Sequence, residues 1–139
     1  MATNEFEMTI NAPVEEVWKA LTTTALANAW MGNVQVETDW KEGANIVYTC
    51  YDDDGSISQW EGQDMAWEGI IAALIPDKEF TCDYSGDSGL EKETYLLEKL
   101  DDKTTKLRFV QDCVSQEMAD AYKAGIEESN EQLKTFLEK

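Results

Sequence analysis

Phe6, Met8 and Ile10 alternate with Glu7 and Thr9, a period of two that predicts a half-buried strand. The period then changes. Val14, Val17, Trp18 and Leu21 fall at i, i+3, i+4 and i+7, which gathers four apolar side chains on one stripe of a helix with Lys19 opposite. Pro13 suits the first helical position, where its missing N–H has no partner to lose, and Glu15 and Glu16 complement the positive end of the helix dipole. Thr22, Thr23 and Thr24 favour caps over helix interiors, so the pattern predicts a break there, a short second helix from Ala25 towards Trp30, and a stop at Gly32.

Beyond Gly32 the period of two returns. Val34 and Val36 alternate with Gln35 and Glu37, a turn follows over 41–44, and 46–51 is rich in β-branched and aromatic residues. Asp52-Asp53-Asp54-Gly55 is a hairpin turn signal, because Asp and Gly tolerate positive φ. The stretch 56–67 is less regular: Ile57 and Trp60 suggest strand, and Glu61-Gly62-Gln63-Asp64 reads as loop. The apolar run 65–75 is long enough for a helix, but Gly69, the pair Ile70-Ile71 and the stop at Pro76 favour a strand. Phe80, Cys82 and Tyr84 give one more alternating strand. The segment 85–89 reads as a loop, 93–100 as a strand, 101–103 as a turn, and 105–113 as the last strand. Ser115 can cap a final helix. Met118, Tyr122, Ile126, Ser129, Leu133, Phe136 and Leu137 then fall at spacings of three and four, predicting a long helix with one apolar face.

Composition narrows what such a chain can do. Its 139 residues suit one domain, 1–139, able to bury about 68% of the surface of the unfolded chain. No apolar run reaches the length of a membrane span, and the N-terminus lacks a basic region followed by an apolar signal core, so a cytoplasmic protein with no membrane partner is expected. Acids outnumber bases 29 to 11, a net charge of −18, and Arg108 is the sole arginine. A field of that sign repels phosphate backbones, and no nucleic-acid partner is expected. The acidity itself reads as solubility or adaptation to salt, with a basic partner as the alternative.

The chain contains no histidine, which excludes Ser-His-Asp and Cys-His catalysis and any His-ligated metal. Cys50, Cys82 and Cys113 lie far apart in strand-like contexts, suggesting neither disulfide framework nor zinc site. A calcium loop is nearly spelled by Asp52, Asp54, Gly55, Ile57 and Glu61, but Cys50 stands where the first carboxylate belongs and strands flank it where helices should. No metal or other cofactor is implied. With so many acids, most read as solvated surface; Glu93 on an inner strand, or Asp112, is a candidate buried acid with a raised pKa.

Ala12, Pro13, Val17, Trp18, Leu21, Leu26 and Trp30 in order, the Gly69-apolar-Pro76 strand, and Thr105, Leu107 and Phe109 in the last strand carry a resemblance. They resemble the activator of heat-shock protein 90 ATPase homologue family, within the START-like, birch-pollen-allergen-like (SRPBCC) superfamily, and the likeness runs along the whole chain. The resemblance implies an α+β helix-grip fold: a curved antiparallel sheet of about six or seven strands wrapped around the long C-terminal helix, with two short helices after the first strand.

In such a fold the sheet and the last helix face one another across Phe80, Cys82, Tyr84, Leu107, Phe109, Gln111, Tyr122 and Ile126, with Trp30 and Trp67 near a mouth. These residues read either as plain core or as an apolar pocket with a few polar groups, the usual make-up of a small-molecule site. Gly125 and Ser129 either let the sheet approach the helix or leave room for a ligand. The resemblance implies, in order of preference, a non-catalytic domain binding a lipophilic small molecule, a protein-interaction domain of the chaperone-ATPase-activator type, and an enzyme of cyclase or hydrolase kind.

Overall fold

The computed structural model describes residues 2–60, 62–85 and 89–138, the side chain of Trp60 excepted. The chain opens with strand β1 (Ala2–Ile10), helices α1 (Val14–Thr22) and α2 (Thr24–Met31), and strands β2 (Val34–Thr38) and β3 (Asn45–Cys50). The short strands β4 (Gln59–Trp60) and β5 (Gln63–Asp64) follow. Four longer strands, β6 (Ala66–Ile75), β7 (Glu79–Tyr84), β8 (Leu90–Asp101) and β9 (Thr104–Cys113), then lead into helix α3 (Gln116–Leu137).

Seven strands form one antiparallel sheet in the order β1-β9-β8-β7-β6-β3-β2, and β4 and β5 pair separately. The two short helices therefore carry the chain from one edge of the sheet to the other. Irregularities between Ile71 and Ala73, Leu90 and Lys92, and Lys99 and Asp101 interrupt the ladders, the kind of insertion that bends a strand and strengthens its twist. Alternation along β9 is strict: Thr105, Leu107, Phe109, Gln111 and Cys113 are buried, and the residues between them are only partly so. The inner face packs under α3, which rests on β1, β9, α1 and α2. The opposite face carries charge, with Glu5 and Glu7 on β1 meeting Lys106 and Arg108 on β9.

The predicted fold is the observed one, with small shifts at element ends. Pro13 is the N-cap rather than the first helical residue. Its ψ of 147° is extended while its carbonyl accepts from the amides of Glu16 and Val17, so α1 begins at Val14. The threonine break is a single residue wide, at Thr23. On α1 the buried set is Val14, Val17, Ala20 and Leu21. Ala20 joins it because α2 packs on that side, with the Trp30 indole N–H donating to the Ala20 carbonyl at 2.8 Å. Gly32, at φ +69°, ends α2 in a conformation that a side chain would strain. The Asn28 side chain accepts from the Val36 amide and ties α2 to β2.

The irregular stretch resolves into a turn and a short strand pair. Tyr51 bridges Ile57 around the Asp52–Gly55 turn, and the β4 and β5 pair follows. In the first turn Asp54 accepts from the amide and hydroxyl of Ser56, and Asp52 accepts from Ser58. These two carboxylates act as turn acceptors; Glu61, the twelfth position of the calcium pattern, and positions 86–88 of the predicted loop lie outside the described residues.

Candidate functional site

Register places the inner-face residues of neighbouring strands side by side, and two rows of unlike chemistry result. The first is aromatic. Phe6, Phe109, Tyr95 and Phe80 sit opposite one another across β1, β9, β8 and β7. Tyr95 meets Phe109 at 4.8 Å between ring centroids and stacks on Phe80 at 6.1 Å, and Trp40 leans on Phe80 from beyond β2 at 5.8 Å. Tyr48 and Trp67 continue the aromatic surface on β3 and β6, stacked at 5.8 Å.

The second row, one step along, is polar. Asn4, Gln111, Glu93 and Cys82 are register partners on the same four strands. The Glu93 carboxylate accepts from the Gln111 amide through Oε2 at 2.9 Å and from the Tyr84 hydroxyl through Oε1 at 3.2 Å. Asn4 donates through Nδ2 to Gln111 Oε1 at 3.1 Å and to the Ala119 carbonyl of α3 at 2.8 Å. The Cys113 thiol also donates to Gln111 Oε1. Hydrogen bonds therefore run without a break from Tyr84 on β7 to α3. Gly69 makes the first link possible: a Cβ there would lie 2.7 Å from both the Tyr84 ring and the Asp83 carbonyl oxygen, so only glycine lets that ring lie across β6.

Burial sets the protonation behaviour of this row. It raises the Glu93 pKa above the ordinary 4.5, against the pull of its two donors, Gln111 and Tyr84. The Cys82 thiol is pushed up to about 12, first by burial and then by the nearby Glu93 carboxylate, which makes it a poor nucleophile. Burial raises the Tyr48, Tyr84 and Tyr95 phenols too, aided next by Cys82 at Tyr48 and by Glu93 at Tyr84 and Tyr95, so all stay neutral. All three cysteines are free thiols. Among the described residues no three side chains of His, Cys, Asp or Glu come together as a metal site.

Of the ten expected site residues, Phe80, Cys82, Leu107, Phe109, Gln111 and Ile126 are buried. Cys82, Tyr84 and Gln111 come together around Glu93, and Trp67, Tyr84 and Tyr122 pack beside Cys113 at the same end of the sheet. Trp67, Tyr84 and Tyr122 stay half-buried, as does Tyr95, although all four belong to the inner side. Leu107 lies deeper, fully buried between its partners Met8 and Leu97. Trp30 packs against α1. It is 5% exposed between α1 and α2, because its indole is tied to Ala20, and its outer edge lines an open groove of about 420 Å³ with Glu128, Glu131 and Phe136. A second groove, of about 310 Å³, lies among Pro13, Glu16, Leu26 and Leu137. Both grooves are walled by helices and by the turn before α1, not by the sheet.

Gly125 answers to only one of its two readings. It is exposed, and a Cβ on it would meet no atom within 4 Å, so it does not serve a close approach of the sheet. Three residues of the assembly escape the sequence reading. Asn4 precedes the legible alternation of β1, Tyr95 is hidden until the inward side of β8 is fixed, and Trp40 stands outside any strand. A signal for Tyr95 exists, since Glu93, Tyr95 and Leu97 alternate.

A curved antiparallel sheet gripping a C-terminal helix, with two short helices after the first strand, defines a START-like helix-grip domain. The sequence profile described as Activator of Hsp90 ATPase homolog 1-like protein (AHSA1) matches residues 11–138. The chain belongs to that family. Among curated proteins no sequence match is found. Solved structures of similar fold include an AHSA1-like protein from Aeromonas hydrophila, 16% identical, covering 99% of this chain and 92% of its own with a TM-score of 0.78. The Aha1 dimer from Colwellia psychrerythraea is 20% identical, covering 99% and 97%, with a TM-score of 0.74. CalU16 from Micromonospora echinospora is 23% identical, covering 97% and 75%, also at 0.74. At these identities the likeness concerns the fold.

Proposed function

We propose that this chain is a non-catalytic binding module that takes a lipophilic small molecule between the concave face of the sheet and α3. The observation that carries the reading is the state of Trp67, Tyr84, Tyr95 and Tyr122: four large aromatic side chains on the inner side that remain half-buried. Ordinary core would cover them, whereas a binding face keeps apolar surface available beside a few polar groups. Asn4, Gln111, Glu93 and Tyr84 supply those groups.

The test is native mass spectrometry of the purified chain, followed by solvent extraction and a lipophile screen read by tryptophan fluorescence, because Trp67 borders the face. A co-purifying apolar molecule, or saturable binding that changes Trp67 emission, is expected. An empty protein that binds nothing across a broad screen would overturn the reading.

A second reading, a protein-interaction domain of the chaperone-activator type, is favoured by the family description itself. It ranks below the first because the half-buried aromatics sit on the concave side, where a small molecule fits better than a protein surface. Stimulation of a cognate chaperone ATPase at saturating chain would promote it. Catalysis ranks last, since the inner face offers neither a histidine nor an activated thiol.

A further inference from the structure

The polar row contains one group that the fold leaves electrostatically incomplete. Glu93 faces the concave side, and each carboxylate oxygen accepts one hydrogen bond, from Gln111 and from Tyr84. A carboxylate has about four acceptor sites, and partners among the described residues take two of them. Buried acids are ordinarily paired with a cation, yet among the described residues neither lysine nor arginine reaches Glu93. Its neighbour Lys92 is exposed and pairs with Asp83 at 3.8 Å.

The titratable groups that face Glu93 come from every element around it. They are Tyr48 on β3, Cys82 and Tyr84 on β7, Tyr95 on its own strand, Cys113 on β9 and Tyr122 on α3. Each of them is either neutral or negative. The local field therefore has the same sign as the chain's net charge of −18. Such a site disfavours a fatty acid or any other anionic lipophile and favours a cation. The half-buried rings of Trp67, Tyr84, Tyr95 and Tyr122 lie on the same side, and aromatic faces attract cations and accommodate apolar chains.

Resting on the binding-module reading above, we propose that the lipophile is an amine. Its protonated nitrogen seats against Glu93 between Tyr84 and Gln111, and its apolar body lies along the half-buried rings of Tyr95, Tyr122 and Trp67. Glu93 is then a specificity-determining residue, and it distinguishes amines from alcohols and carboxylates of the same length.

The experiment is calorimetric titration of the full chain with decylamine, 1-decanol and sodium decanoate, each below its micellar concentration. Salt at about 0.3 M suppresses attraction to the acidic surface at large. Decylamine is expected to bind at least about tenfold more tightly than decanol, with decanoate weakest. Glu93→Gln should remove the amine's advantage over decanol, while Glu127→Gln, on the exposed side of α3, should leave that advantage intact. Equal affinity for amine and alcohol, or a preference that survives Glu93→Gln, overturns the inference and leaves the binding module standing. Failure of all three probes overturns both. Should Glu93→Gln not fold, intermolecular NOEs on the unmodified chain decide the matter. Contacts from the amine's α-methylene to the Tyr84 ring support the inference, and contacts confined to surface acids overturn it.

Discussion

Glu93 shows how much one residue's behaviour depends on its neighbours in space. Its folded pKa lies above the ordinary 4.5 because burial outweighs the Gln111 and Tyr84 hydrogen bonds. The folded protein thus holds this proton more tightly than the unfolded chain does. Its stabilising contribution is complete below the ordinary carboxylate pKa and is lost as pH rises through the raised value. Glu93→Gln cannot ionise, so between about pH 4 and 7 it should lose less stability than the unmodified chain. Urea midpoints of both proteins across that window measure the difference, and parallel curves would show that Glu93 ionises in the fold as freely as outside it. The sequence named Glu93 as one of two candidate buried acids but could not choose between it and Asp112. Asp112 takes a hydrogen bond from Thr3 at an exposed position on the other face of β9. The choice depended on which face of β8 and β9 turned inward at each position, and on Gly69 letting Tyr84 reach across.

At the scale of the element, α3 is the part most nearly written in local sequence. Ser115 caps it, accepting from the Met118 amide at 3.3 Å, and Glu117 lies in its first turn. Ser115→Ala should cost about 0.5–1 kcal/mol, the lower part of the usual range because the bond is long. Chemical denaturation measures it, and a change within error would show that solvent caps the helix equally well. The buried face of α3 was less legible. Ile126 and Leu133 belong to the predicted stripe, but Ala119 and Asn130 are buried too, whereas Met118, Tyr122, Phe136 and Leu137 are only partly covered. The face in contact is rotated towards β1, where Asn4 reaches Ala119 and Lys134 reaches the Thr9 carbonyl. At the edge of that face Tyr122 packs beside Trp67, Tyr84 and Cys113. Spacing of three and four defines an apolar stripe but not which edge of it the sheet will cover.

For the whole molecule, charge is the dominant long-range term. Ion pairs such as Glu5 with Arg108 and Glu7 with Lys106 are about half exposed and worth about 0–1 kcal/mol each. They do little against the mutual repulsion of a net −18. Raising sodium chloride from about 0.02 to 0.5 M should therefore raise the urea midpoint, since screening acts more on this repulsion than on the few attractive pairs. A falling midpoint would mean that the attractive pairs dominate. No described helix is long and apolar enough to cross a membrane.

Strand and helix periodicity, turn chemistry and the Ala12 to Trp30 pattern determined, by themselves, the order of elements and the helix-grip fold. They could do so because alternation, capping and turn preference act between residues a few positions apart. Only the tertiary structure decided that Trp30 is a pin between α1 and α2, and that Asn4, Gln111, Glu93 and Tyr84 form one hydrogen-bonded row beside a row of aromatic rings. Those rows join strands separated by up to 107 positions, the distance from Asn4 to Gln111. Register between such strands is fixed by the packing of the whole inner face, which no local pattern encodes.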